Sequence, residues 1–327
     1  MPFPVALAVA LLLACTMLVA GTTLIAKALG SGILGVEIPA LMVSQARFVF
    51  GFLAVAAVLM LRRASGRAAW APRAAGSRPP RWGLHLARTG LGWLGGFLMF
   101  SASARMPLAD VNALSFVSPV ATMLFAVLLL GERVGPWRWL AAGIALAGAL
   151  ILLRPGAGII QPAALLALGA ALAMGLEAIA IKRLAITEPP GRTMLINNAM
   201  GAVIGCVLAA PVFSWPQGWA VWALLVGIGC LMVTAQILLL TANRLADASF
   251  VAPFWYLTLV WAAVYDIAVF GHWPDAVSVS GAAVVVAGGL LLTWREIVAR
   301  RRQSRASAQG VGSARLHGPG DGARPAA

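Results

Sequence analysis

Few residues in this chain could do chemistry, and most of them interrupt long apolar runs. Arg47 is the tenth residue of the 24-residue stretch Ile38–Leu61, Glu177 lies four residues before the end of Ile160–Ile181, and Asp266 four before the end of Ala248–Phe270. A guanidinium forms two parallel hydrogen bonds to a carboxylate or phosphate, so Arg47 reads as an anchor for such a group on a ligand. The competing role is a clamp on Glu177, on Asp266 or on backbone carbonyls. Glu177 suits proton coupling or cation binding; its alternative is an ion pair with Lys182 or Arg183, about one turn away. Asp266 could gate the end of its run or snorkel to the surface. Glu132 closes Val111–Leu130 beside Arg133 and reads as a hinge and cap residue.

Uncharged polar residues add a fainter signal. Asn197, Asn198 and Gln236 also lie in apolar runs, where an amide must find an internal partner; they serve either helix–helix bonding or ligand binding. Phe254, Thr258, Trp261 and Tyr265 recur at the spacing of one helical face, and Tyr256 and Tyr265 are both in that run. Such an aromatic wall suits a planar or cationic ligand, or packing alone. Enzyme signatures are not found. Gly90–Gly95 spells G-x-G-x-x-G but lies inside an apolar run with no strand before it. His85, His272 and His317 are far apart, no H-E-x-x-H occurs, and Cys15, Cys206 and Cys230 read as small apolar residues. No metal, cofactor or catalytic group is expected.

The elements that carry these residues are apolar runs of about 20 residues, or ~30 Å as helices, matching a bilayer core. In order they are Pro4–Ala26, Ile38–Leu61, Gly83–Ala104, Val111–Leu130, Trp137–Leu153, Ile160–Ile181, Met194–Val212, Trp219–Thr241, Ala248–Phe270 and Ala276–Trp294. The first is read as a span and not a signal peptide, because no basic residue precedes it and it continues well past Cys15. With 61% hydrophobic and 10% charged residues and a mean hydropathy of +0.92, the chain has too little polar surface for a soluble globule. Ten spans make an all-α polytopic membrane protein.

The run opening at Leu108-Ala109-Asp110 and turning at Gly131-Glu132 is echoed by Leu245-Ala246-Asp247 and Gly271-His272. This repetition implies a duplication: residues 1–155 with a basic loop at 62–81, residues 156–297, and a basic tail at 298–327 expected to be disordered. Five spans per half place the two halves upside down relative to each other. If the N-terminus is cytoplasmic, 20 of the 24 Lys and Arg fall on that side, Arg88 among them, and only Lys27, Arg105 and Arg154 on the other. The positive-inside rule therefore puts both termini in the cytoplasm. The net charge of +14 then faces anionic lipid, and no nucleic-acid partner is needed. Gly143 with Ala147, and Ala283 with Ala287, form small-xxx-small pairs suited to close contact within the fold or across a homodimer.

Ala26-Lys27, Pro39, Arg47, Pro119, Gly131-Glu132, Gly143 and Gly148 together resemble the first repeat of EamA-type permeases of the drug/metabolite transporter superfamily. Ser249–Tyr256 leading to Phe270–Asp275 is similar to the second repeat, and the likeness covers residues from about 5 to 297. His272 stands where that family usually repeats the Glu. The resemblance implies a bacterial inner-membrane secondary carrier working by alternating access, with a central cavity for a small organic metabolite such as an amino acid, an amine or a vitamin like riboflavin. A passive channel or a non-transporting membrane subunit is the alternative. Arg47, Asn197, Gln236, Tyr256, Trp261 and Tyr265 are then the candidate substrate contacts, Glu177 and Asp266 coupling or gating groups, and Glu132, Pro119 and Pro253 hinge positions.

Overall fold

The computed structural model describes residues 3–30, 37–64, 79–103, 105, 108–156, 162–271, 273 and 275–316. Lipid cannot satisfy backbone N–H and C=O groups, so apolar runs of this length close their hydrogen bonds within themselves. The described residues accordingly form helices and no strand. The helices are α1 (Phe3–Gly30), α2 (Ala40–Ala64), α3 (Trp82–Ser103), α4 (Leu108–Ser115), α5 (Ser118–Leu130), α6 (Pro136–Leu153) and α7 (Ala164–Thr187). They continue with α8 (Pro190–Ala209), α9 (Trp219–Leu245), α10 (Ala248–Val251), α11 (Leu257–Phe270) and α12 (Ala276–Leu316). Prolines open α6 and α8, where a missing N–H costs nothing. Gly131 (φ 68°) and Gly271 (φ 67°) end α5 and α11 in the left-handed conformation that glycine adopts without strain.

Eight stretches among the described residues are long and apolar enough to cross a membrane, and Ser118–Leu130 is a shorter apolar helix. This falls short of the ten uniform spans expected. α3 is not among the eight; His85, Arg88 and its glycines dilute its hydropathy. The fourth run is divided into α4 and α5 at Phe116-Val117, with Pro119 in the first turn of α5. The ninth run passes from α10 through a 3-10 stretch, Ala252–Tyr256, into α11, with Pro253 in its first turn. Tyr256 joins the two interruptions: its hydroxyl donates to the Phe116 carbonyl (2.9 Å), and the two rings stack at 5.8 Å. α12 continues into the basic tail as far as Leu316.

Packing between elements is reciprocal. α1 lies on α9 and α11, while α7 lies on α3 and α5; α2 packs on α8, and α6 on α12. Of these pairings, α1 on α9 and α11 is matched by α7 on α3 and α5 with the halves exchanged, and α2 on α8 and α6 on α12 are their own counterparts. The α6–α12 pair approaches closely through glycine. A Cβ at Gly148 would lie 2.6 Å from the Val285 amide nitrogen, and one at Gly281 would lie 2.8 Å from that of Leu152. The small pairs singled out in the sequence do not make this contact. Gly143, Ala147, Ala283 and Ala287 are all exposed, and nothing lies within 4 Å of a Cβ at Gly143.

The hinge after α5 is fastened to the start of α10. Glu132 accepts hydrogen bonds from the Ala248 and Ser249 amides (2.8 and 3.0 Å) and from the Ser249 hydroxyl (2.6 Å), which satisfies two amides at a helix N-terminus. Arg138 donates to the same hydroxyl and to the carboxylates of Asp247 and Glu296 (2.7, 3.0 and 3.1 Å). At the other hinge, exposed Arg154 donates to Asp275. The hydrogen bond from Arg154, followed by those from Ser278, holds the Asp275 carboxyl well below the usual carboxylate range. His272 lies outside the described residues.

Two outcomes follow for the purified protein in detergent. Gly148→Val should lower stability by about 1–3 kcal/mol through overpacking against α12, whereas Gly143→Val should change it by less than about 0.5 kcal/mol; equal melting shifts would refute the α6–α12 contact. Glu132→Ala, which strips three charge-assisted bonds, should cost about 2–4 kcal/mol. Glu132→Gln, which keeps one acceptor, should cost about half as much, and a melting curve unchanged by Glu132→Ala would show that the hinge is not held there.

Candidate functional site

A cavity of about 990 Å³ runs between α1, α2, α3, α7, α9 and the interrupted α4–α5 and α10–α11 runs. One end of its lining is formed by Thr23, Ala40, Ser101 and Arg105, where α1 and α3 finish and α2 begins; Ala40 and Arg105 are exposed. The other end is polar and closed. There Arg88, the seventh residue of α3, is 1% exposed and donates from Nη2 to Gln236 Oε1 of α9 (3.1 Å). Its Nε and Nη1 are buried without a hydrogen-bond partner. The next residue, Thr89, donates to Asn197 Oδ1 of α8 (3.2 Å).

Glu177 enters from α7. Its carboxylate lies against Gly92 so closely that a Cβ there would sit 3.0 Å from Oε1. Gly92 is one turn beyond Arg88 on the same face of α3, and a side chain at this position would displace the carboxylate. Arg88, and less strongly Arg47, act electrostatically on Glu177. No direct ion pair joins the three among the described residues. Arg47 has a buried Nε without a partner and its guanidinium carbon 4.4 Å from the centre of the Phe48 ring. Phe48 in turn stacks on Trp93 at 5.5 Å with 26° between planes. The arrangement is one of two buried guanidiniums, one carboxylate and several amides beside a stacked aromatic pair. It can bind a planar molecule and hydrogen-bond its polar edge.

Arg47, Asn197, Gln236 and Glu177 all line this cavity. Lys182 and Arg183 are engaged elsewhere. Lys182 donates to the carbonyls of Asn243 (2.5 Å) and Ala246, and Arg183 to that of Leu129 (2.6 Å), so each caps a helix end. Asn198 donates to the Met194 carbonyl (2.8 Å) of its own helix. The ninth run passes through a 3-10 stretch at Ala252–Tyr256, and Phe254 is buried in a core cluster against which Trp261 packs. Trp255 and Thr258 line the cavity, while Tyr256, Trp261 and Tyr265 do not; Tyr265 donates to the Met17 carbonyl (3.1 Å) instead. The Asp266 side chain lies outside the described residues.

Sequence reasoning missed Arg88, Thr89, Phe48 and Trp93. The charge count puts Arg88 on the cytoplasmic side, and in the structure it is buried in the cavity wall. Its signal was present in the glycines that follow it. Gly92 admits Glu177, and Gly95 brings α3 against α7, with a Cβ there 3.1 Å from Met174 Cγ. His85, one turn before Arg88, lies beneath the polar end and pairs with Glu188 (Nε2···Oε2 3.1 Å), which also accepts from the Arg81 amide (2.7 Å). Among the described residues no group of three His, Cys, Asp or Glu could hold a metal ion.

Comparison with known proteins gives the family of this chain. The family model described as EamA-like transporter family matches residues 6–154 and again 161–294. A riboflavin transporter of Vibrio cholerae is 32% identical over 227 residues, which is 69% of this chain and 76% of the relative. A riboflavin transporter of Rhizobium johnstonii is 34% identical over 219 residues, covering 67% and 72%. An S-adenosylmethionine uptake transporter of Rickettsia felis is 26% identical over 197 residues, covering 60% and 67%. A solved crystal structure superposes with a TM-score of 0.70 over 90% of this chain and 98% of the other at 22% identity, which speaks to fold alone. The cavity with its buried polar end therefore lies in a multi-pass membrane protein, and the chain belongs to the EamA-like transporter family of the drug/metabolite transporter superfamily, whose members here carry small metabolites.

Proposed function

We propose that this protein is a secondary carrier for a planar heteroaromatic metabolite, with riboflavin the first candidate, and that it works by alternating access. The observation that carries the reading is the polar cluster of Arg88, Arg47, Glu177, Gln236 and Asn197 set beside the stacked Phe48–Trp93 pair in one cavity. Its volume of about 990 Å³ is that of a metabolite site. Riboflavin is the molecule for which the Vibrio cholerae and Rhizobium johnstonii relatives, each above 30% identity, are named.

The architecture we infer is ten spans in two inverted five-helix repeats, with both termini in the cytoplasm of a bacterial inner membrane. The reciprocal helix pairings and the twofold match of the family model support it. In that orientation the exposed end of the cavity faces outward. The closed end, with His85–Glu188 and the Glu132 cap beneath it, faces the cytoplasm. Exchange of which end is fastened would then alternate access.

Purified protein should show a saturable melting shift with riboflavin, reaching ~2.7 kcal/mol of stabilisation at 100 times the dissociation constant. Arg47→Gln should weaken that binding at least tenfold. In proteoliposomes riboflavin flux should saturate and be accelerated by unlabelled riboflavin on the far side. Flux that rises linearly without trans-stimulation would indicate a channel, and no shift with riboflavin while S-adenosylmethionine gives one would move the substrate to the second group of relatives.

A further inference from the structure

The polar end of the cavity holds more positive charge than it balances. Arg88 and Arg47 both line it, Glu177 is the one carboxylate among the described lining residues, and the remaining polar groups there are neutral amides and hydroxyls. Arg88 is 1% exposed and fixed by Gln236, and still has Nε and Nη1 without acceptors; Arg47 likewise has Nε without one. Buried donors of a guanidinium left unmatched are costly, and a bound acceptor recovers that cost. A buried ammonium or sulfonium would face two like charges across a low-dielectric space instead.

We propose that Arg88 is the primary recognition residue of this cavity. Together with Arg47 it reads a hydrogen-bond-accepting edge, a carbonyl pair or a carboxylate, on a planar ligand. Glu177 sets the charge selectivity by cancelling one of the two guanidiniums. The cavity thus ranks ligands of one shape as anion over neutral over cation, and an amine or other cationic substrate is disfavoured. This rests on the cavity being the substrate site. It adds the residue that reads the ligand and the sign of charge that the site accepts.

The test uses one bicyclic scaffold in three charge states: quinoline-3-carboxylate, quinoline-3-carboxamide and the N-methylated quinolinium carboxamide. Affinities are measured by titration calorimetry on full-length protein in nanodiscs, with riboflavin measured in parallel. In the wild type each step from anion to neutral to cation should weaken binding at least tenfold. Arg88→Gln should reduce the anion-to-neutral gap to under threefold, and Glu177→Gln should widen it at least fivefold. Arg88→Lys, which keeps the charge but loses the fork, should preserve the order at lower affinity. If Arg88→Gln does not fold, the Glu177→Gln shift decides.

Binding in which the cation matches or exceeds the anion, an order unchanged in Arg88→Gln, an anion preference unmoved by Glu177→Gln, or no binding of any quinoline would each overturn the proposal. Riboflavin failing to bind while the charge order holds would remove riboflavin as substrate and leave this assignment standing. Riboflavin binding without a charge order would do the reverse.

Discussion

A guanidinium cannot be left facing lipid, and in this protein that constraint organises the interior. Arg88 lies seven residues into α3, too far along the helix for its side chain to remain in the aqueous margin, so α3 must turn that face inward. Once inside, the group needs acceptors and counter-charge, and α9 and α7 supply Gln236 and Glu177. Gly92 and Gly95 let α7 approach on the same side. A helix that is not among the eight apolar candidate spans therefore builds the polar end of the cavity.

The two interrupted runs meet the same demand in another way. Breaking a helix inside a membrane frees backbone groups that must be satisfied within the protein. Here the breaks at Phe116-Val117 and at Ala252–Tyr256 face each other, and the Tyr256 hydroxyl reaches the carbonyl of Phe116. The N-terminus of α10 is satisfied by Glu132 from the hinge of the opposite half. These interruptions place Ser115, Phe116, Trp255 and Thr258 in the cavity wall where unbroken helices would present a different set. The two ends of the bundle are fastened unequally: a buried hydroxyl and several carboxylates gather around Glu132 and Arg138, against an exposed Arg154–Asp275 pair at the other hinge.

Selectivity in such a cavity comes from few groups. The aromatic pair Phe48–Trp93 lines the cavity beside the polar end. The charges at the polar end discriminate more sharply, because each buried donor without a partner penalises a ligand that cannot supply an acceptor. Relatives named for riboflavin and for S-adenosylmethionine, the latter a sulfonium, share the fold family with this chain. On the assignment proposed for this cavity, the balance of Arg and Glu at its polar end would separate such ligands by charge.

Composition and periodicity by themselves determined that the chain is helical and membrane-embedded, that it is built from long apolar runs with glycine-ended hinges, and that Arg47, Glu177, Asn197 and Gln236 stand where lipid would not tolerate them. Those properties are local: they depend on the cost of placing a given residue in hydrocarbon, which a single run already states. Only the tertiary structure decided which polar groups meet. It joined Arg88 to Gln236 across 148 positions of sequence and set Glu177 on Gly92. It also put Trp255 and Thr258 of the ninth run in the cavity wall, not Trp261 and Tyr265, and put the helix contact at Gly148 and Gly281, not Gly143. A helix surface shows every small or polar residue it carries, but which of them is buried depends on the rotation and depth of its neighbours, and those are set by all the contacts at once.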